Sequence, residues 1–184
     1  MQHEKGLHSS LDFENRRVQT AQMQMDFVNN VIWACDEKFG SEFVRDKIYT
    51  YGCGIEFKEL TESEYRKVKV LVQEFCIKKV GKYKKESNKW GLQISAFGII
   101  GEIPKQDWDG NTEMKEIDCT ICFKWGLPDT CELIEVSKTE EVRDPVYTDK
   151  NGRTFREVTS TEVKCSKPIL EAVFAQQKDE PVNV

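Results

Sequence analysis

The spacing of the apolar residues changes near residue 90, and this change constrains the fold more than any other feature. Before that point apolar side chains recur every three or four residues, as on one face of an α-helix. After it they alternate with polar side chains, as in a β-strand with one buried face. Helices followed by consecutive strands are typical of the α+β class. We therefore predict N-terminal helices packed on a curved antiparallel sheet of four to five strands.

A long amphipathic helix is predicted from about Leu11 to Glu37. Ser9 and Asp12 form a variant of the capping box at its start. The apolar stripe is wider than a coiled-coil seam, which favours packing on the chain's own sheet. Its members are Val18, Ala21, Met25, Val28, Ile32 and Cys35. A homodimer through the Val18–Cys35 helix face is the alternative, and residues 1–10 are expected to form a flexible leader.

A second helix is predicted from about Glu62 to Val80. Thr61 and Glu64 form a full capping box at its start, and Gly81 suits the position after its last turn. The segment Tyr49–Phe57 is aromatic and β-branched around two glycines, which predicts one short strand with a bulge or a close backbone approach.

Several strands are predicted after residue 91. In the clearest of them one face carries every second residue, namely Ile117, Cys119, Ile121, Phe123 and Trp125. The turn sequences GLPD (126–129) and DKNG (149–152) connect further strands, and Pro168 begins a short helix. We predict a single domain over residues 11–177 and a flexible tail over residues 178–184.

The chain is expected to be cytoplasmic. Its first residues, MQHEKGLHSS, lack the charged-then-apolar pattern of a signal peptide, and no apolar run is long enough to span a membrane. Seven cysteines, an odd number, fit a reducing compartment better than a disulfide framework. Free thiols and no membrane contact are therefore expected.

Few reactions are compatible with this sequence. Both histidines, His3 and His8, precede the first predicted helix, which disfavours a histidine base, a histidine-activated nucleophile and a histidine metal site. Cys119 and Cys122 have C-x-x-C spacing, and Cys131 and Cys165 are possible further zinc ligands. Because residues three apart on a strand face opposite sides, the first two cannot share a metal or a disulfide. We expect no cofactor and no catalytic residue.

A basic segment, here called the lysine strip, extends from Lys78 to Trp90. Residues 78–89 contain six lysines and one acid, Glu86. Lysines neutralise phosphates, and aromatic rings stack on bases. Because the segment contains no arginine to read bases, such contacts would not depend on the nucleic-acid sequence. The predicted contact residues are Lys78, Lys79, Lys82, Tyr83, Lys84, Lys85, Lys89 and Trp90, together with Trp108 in a predicted loop. A solvated loop and a contact to an acidic protein surface are the alternatives.

These features predict a non-catalytic macromolecular interaction protein with a protein partner. A stoichiometric inhibitor or an accessory protein of a virus or mobile element has this profile. Sequence-tolerant nucleic-acid binding through the lysine strip is the first alternative. A small-ligand pocket protein or an enzyme of the cone-shaped α+β type is the second.

Overall fold

The computed structural model describes residues 2–52, 54–78, 81, 84–106, 111–141 and 147–178. Across these residues it contains four helices, a five-stranded sheet and a three-stranded sheet, which confirms the α+β class. The chain divides into two compact units: Met1–Lys85 with Gln93–Lys124, and Glu86–Leu92 with Trp125–Val184. The single domain over residues 11–177 stays a prediction. Within the described part of the chain, no helix has the length and apolar character of a membrane span.

The first unit consists mainly of three helices that pack on the larger sheet. Its helices are α1 (Gln2–Phe39), α2 (Ser41–Lys47) and α3 (Glu62–Glu74). The strands of the larger sheet are β1 (Ile48–Tyr51), β2 (Gly54–Lys58), β3 (Lys84–Asn88), β4 (Gly91–Gln106) and β5 (Thr112–Trp125). Their order in the sheet is β1-β2-β5-β4-β3.

The larger sheet is mixed, whereas the sequence pattern predicts an antiparallel one. β2 pairs parallel to β5, with Gly54 opposite Thr120 and Lys58 opposite Lys124. Parallel neighbours need a long connection, and the segment between these strands includes α3. Alternation along one strand gives the buried face but not the direction of the neighbouring strand, so the sequence pattern missed this pair.

The segment predicted as one strand over Tyr49–Phe57 is a hairpin. The chain reverses between Tyr51 and Gly54, and these two residues are paired in the antiparallel ladder of β1 and β2. Glycine permits the backbone conformations of tight turns, so a turn and a bulge share the same sequence signal. The turn is the correct interpretation here.

Helix α1 extends further than predicted at both ends. It begins at Gln2 rather than near Leu11, so it covers most of the segment expected to be a flexible leader. Without a proline to break it, an established helix gains one hydrogen bond for each residue added. Along its stripe Cys35 is fully buried, while Val18 and Met25 are exposed. The C-terminal half of the α1 face that was proposed for a homodimer is therefore buried in the core.

Helix α3 begins as predicted and ends earlier. The capping box is confirmed: the Glu64 carboxylate accepts from the Thr61 N–H at 2.7 Å, and the Thr61 hydroxyl accepts from the Glu64 N–H at 3.2 Å. The helix stops at Glu74, not near Val80. The backbone N–H groups of Ile77 and Gly81 instead donate to carbonyls of β4. Pairing with the sheet thus replaces the last helical turn.

The core of the first unit lies between the helices and one face of the sheet. Phe57 of β2 stacks on Phe123 of β5 with ring centroids 5.4 Å apart. Tyr65 of α3 meets the same Phe123 ring edge-on at 5.0 Å. The predicted buried face of β5 is confirmed, since all five of its members are at most 4% exposed.

Two glycines of β4 allow the helical side of this unit to approach the sheet closely. A Cβ atom at Gly98 would lie 2.6 Å from the Cys76 Sγ, just after α3, and 3.2 Å from the Ile121 Cδ1. A Cβ atom at Gly101 would overlap the Met23 Cε of α1. Gly98 thus meets a short side chain, whereas Gly101 meets the end of a flexible one.

The second unit is a long hairpin with a short third strand and a helix. Its elements are β6 (Cys131–Glu141), β7 (Tyr147–Thr148), β8 (Thr154–Cys165) and α4 (Ile169–Lys178). β6 and β8 pair antiparallel along their whole length. The predicted DKNG turn is confirmed, and in it the Asp149 side chain accepts hydrogen bonds from backbone N–H groups. The predicted helix after Pro168 is confirmed as α4, in which the Phe174 ring meets the Trp125 ring edge-on with centroids 5.9 Å apart.

A disulfide joins Cys131 to Cys165, which contradicts the expectation that all thiols are free. Antiparallel pairing places these two residues directly opposite at the ends of β6 and β8. The described free cysteines are Cys35, Cys76, Cys119 and Cys122. Because disulfides persist in oxidising compartments, this bond removes the cysteine-based argument for a cytoplasmic location.

We predict that a Cys131→Ser, Cys165→Ser double variant lowers the free energy of unfolding by about 2–4 kcal/mol, because the bond closes a loop of 34 residues and restricts the unfolded chain. Denaturant titration with and without a reducing agent measures this effect. The reducing agent should destabilise the natural chain and leave the double variant unchanged. Equal stability of the two chains in non-reducing buffer would contradict the prediction.

We predict that Gly98→Ala lowers the free energy of unfolding by about 1–3 kcal/mol through overpacking against Cys76. The matched Gly101→Ala variant should lower the free energy of unfolding by less, because the flexible Met23 side chain can move aside. Chemical denaturation of both variants measures the difference. A larger loss in Gly101→Ala would show that the order of the two effects is wrong.

Candidate functional site

The structure describes five of the nine predicted contact residues. Lys79, Lys82, Tyr83 and Trp108 lie outside the described residues. Lys84 and Lys85 are exposed at the start of β3 in the first unit, and Lys89 and Trp90 belong to the second unit. Lys78 belongs to the first unit.

Lys78 is engaged with carboxylates of the chain itself. Its ammonium group lies 3.2 Å from the Glu102 carboxylate of β4 and also pairs with Glu116 of β5. Hydrogen bonds to Glu116 and Glu102 raise the pKa of Lys78. This lysine ties the segment after α3 to the sheet, so it is a poorer contact residue than the sequence suggests.

Trp90 presents its ring to solvent. The residue is 77% exposed, and the Lys89 ammonium lies 4.9 Å from the ring centroid. Its backbone N–H donates to the Asn88 side chain at 2.9 Å, which fixes the turn before β4. An exposed ring beside an ammonium group is suited to stacking and cation–π contacts with a partner.

A groove that the sequence did not predict lies along the first part of α1. Its volume is about 590 Å³. Apolar side chains from α1 and β4 line it, namely Phe13, Val18, Ala21 and Ile103. We call this feature the α1 groove. Phe13 and Val18 are 55% and 68% exposed, so a substantial apolar surface faces solvent there.

The α1 groove is basic although the whole chain carries a net charge of −5. Four cations line it, namely Arg16, Arg17, Lys105 and Lys115, against one acid, Glu14. Arg17 pairs with Glu14 at 3.2 Å and Lys105 with Glu113 at 3.1 Å. Within the described residues, Arg16 and Lys115 form no ion pair.

Contacts between α1 and the sheet hold the groove together. The Gln24 side chain, which lines the groove, donates to the Asp118 backbone carbonyl of β5 at 2.8 Å. Ile103 of β4 is only 6% exposed and forms part of the core beneath. The apolar lining therefore continues the core, and its cations come from both the helix and the strands.

The thiols of Cys35 and Cys76 are poor nucleophiles. Burial raises the pKa of the Cys35 thiol to about 12, and Lys38 opposes this shift only in part. Burial also raises the pKa of Cys76. Since the thiolate is the reactive form, these groups are inert near pH 7. In the described part of the chain, no group of three or more His, Cys, Asp and Glu side chains is placed to hold a metal ion.

No family model, curated protein or solved structure matches this chain.

The α1 groove is formed by residues from α1, β4 and β5, so its two sides are about ninety positions apart in the sequence. Arg16 and Arg17 between Phe13 and Val18 were the visible signal on the helix. The strand residues gave no matching signal, because alternation does not show which helix covers a strand.

Proposed function

We propose that this chain is a non-catalytic interaction protein that binds a protein partner through the α1 groove. The observation that supports this proposal most is the exposed apolar lining of the groove beside two cations, Arg16 and Lys115, that form no ion pair with the residues the structure describes. Such a protein acts by occupying its partner stoichiometrically, as an inhibitor or accessory protein does.

The chemistry of the α1 groove selects an acidic amphipathic segment, most simply a helix. Grooves of this kind take up the apolar face of a helix, whose side chains recur at three- and four-residue spacing. Acidic residues beside that face would meet Arg16 and Lys115, which pair with no carboxylate in the described part of the chain. Complementary charge speeds association and excludes basic competitors.

Nucleic-acid binding is a second candidate, and the exposure of Trp90 favours it. The 77% exposed ring next to Lys89 is able to stack on an unpaired base. The acidic net charge of the chain weighs against a general nucleic-acid coat. This candidate therefore ranks below the protein partner.

We predict that a displayed library of 15-residue peptides, selected on the immobilised chain, becomes enriched in acidic amphipathic sequences. The apolar side chains should pack in the groove and the carboxylates should meet its cations. Binding of an enriched peptide, measured by fluorescence anisotropy, should weaken at least tenfold in Val18→Ser and in an Arg16→Glu, Lys115→Glu variant.

Matched controls separate the groove from general surface effects. Val70→Ser removes another exposed valine, from α3, and Lys164→Glu with Lys167→Glu makes the same charge change in the second unit. Both controls should bind like the natural chain. Enrichment of basic peptides, or equal binding by the groove variants and the controls, would rule out the proposal.

For the second candidate we predict that single-stranded DNA binds with a log affinity that falls linearly with log salt concentration. Trp90→Ala should weaken this binding by about 1–3 kcal/mol if a base stacks on the ring. Lys84→Glu with Lys85→Glu should reduce the salt slope and change the free energy of unfolding by less than about 1 kcal/mol. Unchanged affinity in both variants would exclude the lysine strip.

A further inference from the structure

A second concave site lies on the face of the larger sheet opposite to the one on which α1 and α3 pack. Ile55 and Phe57 of β2 face the helices, so Glu56 and Lys58 point to the opposite side. The cavity there measures about 390 Å³. We call it the sheet-face pocket, and its main lining residues are Tyr49, Tyr51, Glu56, Gln93, Cys122 and Lys124.

A buried carboxylate lies in the wall of this pocket. Glu56 is 6% exposed, and buried charges are retained only when they are paired. Its Oε2 lies 2.6 Å from the Lys124 Nζ, and its Oε1 lies 3.5 Å from the Lys58 Nζ. The negative charge of Glu56 is therefore fully matched within the chain.

The same group of residues carries one positive charge in excess. The parallel register sets Lys58 directly opposite Lys124, and like charges in that position destabilise a sheet. One carboxylate neutralises only one of these two ammonium groups. Their side chains are 39% and 42% exposed, and each ammonium has three donors, so N–H groups remain for an acceptor from solvent.

Two tyrosine rings from β1 add apolar surface beside this charge. The Lys58 Nζ lies 3.5 Å from the centroid of the Tyr49 ring. The Tyr51 ring crosses β2 where Gly54 lacks a side chain, since a Cβ atom there would lie 3.1 Å from the ring. The Tyr51 hydroxyl then hydrogen bonds with the Cys122 Sγ on β5 at 2.9 Å. Burial raises the pKa of Tyr51, so its hydroxyl stays neutral at physiological pH.

We propose that the sheet-face pocket binds a small aromatic anion, either an aromatic carboxylate or an aryl phosphate. Its anionic oxygens accept hydrogen bonds from Lys124, which lines the pocket. Lys58, which borders the pocket through Tyr49 and Glu56, adds positive charge, and the ring of the ligand lies beside Tyr49 and Tyr51. The volume is at the lower end of the range for small-molecule sites, which favours a small ligand. This inference is independent of the α1 groove, with which the pocket shares no lining residue.

Nuclear magnetic resonance titration of the full chain with benzoate, phenyl phosphate and the neutral isostere benzamide tests the proposal. Both anions should shift the backbone amides of residues 49–51, 56, 93, 122 and 124. Benzamide should bind at least tenfold more weakly. The stronger of the two anions identifies the head group that the pocket prefers.

Two substitutions should change the affinity in opposite directions. Glu56→Gln keeps the shape and frees both ammonium groups, so anion binding should tighten about threefold to tenfold. Lys124→Met removes the main donor and should weaken it at least tenfold, while Lys164→Met in the second unit should have no effect. Lys124→Met leaves a buried carboxylate with a weaker partner, which destabilises the chain, so Glu56→Gln is the decisive variant.

The proposal is overturned if neither anion shifts these amides in the natural chain or in Glu56→Gln, or if benzamide binds as well as benzoate. Weaker binding in Glu56→Gln would overturn it too, because the lysines would then serve only the carboxylate. The Val18→Ser variant should bind benzoate normally, so a failure of the α1 groove and a failure of this pocket are distinguishable.

Discussion

The parallel pairing of β2 with β5 is the interaction on which the first unit depends. It brings Phe57 against Phe123, and Tyr65 of α3 closes the cluster from the helical side. Both phenylalanines are at most 1% exposed, and burying a side chain of this size contributes about 1.5–3 kcal/mol. The same register places Lys58 opposite Lys124 on the other face. One pairing thus sets both the core and the polar residues on the opposite face of the sheet.

The cations of this acidic chain differ in how many carboxylates of the chain they pair with. The fewer carboxylates a cation pairs with, the better suited it is to bind an anion from outside. Lys78 is shared by two carboxylates and is used within the fold. Lys58 and Lys124 share one carboxylate, while Arg16 and Lys115 have none within the described residues. Exposed ion pairs contribute at most about 1 kcal/mol, so stability alone does not explain cations gathered around cavities. We propose that these cations bind an anionic partner or ligand.

The features predicted correctly from the sequence are those with a local physical cause. The capping box of Thr61 and Glu64 satisfies N–H groups within one turn of the helix. The buried face of β5 follows from alternation along one strand, and the DKNG turn follows from Asp149 accepting nearby N–H groups. For the candidate sites, the exposure of Trp90 and its neighbouring lysine agrees with the predicted contact role, which itself stays a prediction.

The sequence by itself determined the α+β class, the start of α3 and the faces of the central strands, because each depends on residues a few positions apart. Only the tertiary structure decided that β2 runs parallel to β5, that Cys131 bonds Cys165, and that α1 forms a basic groove with β4 and β5. Apolar periodicity shows that a face is buried, but it does not identify the segment that covers it. Which segment covers it depends on packing between residues that are distant in the sequence. The sites proposed here are formed by such residues.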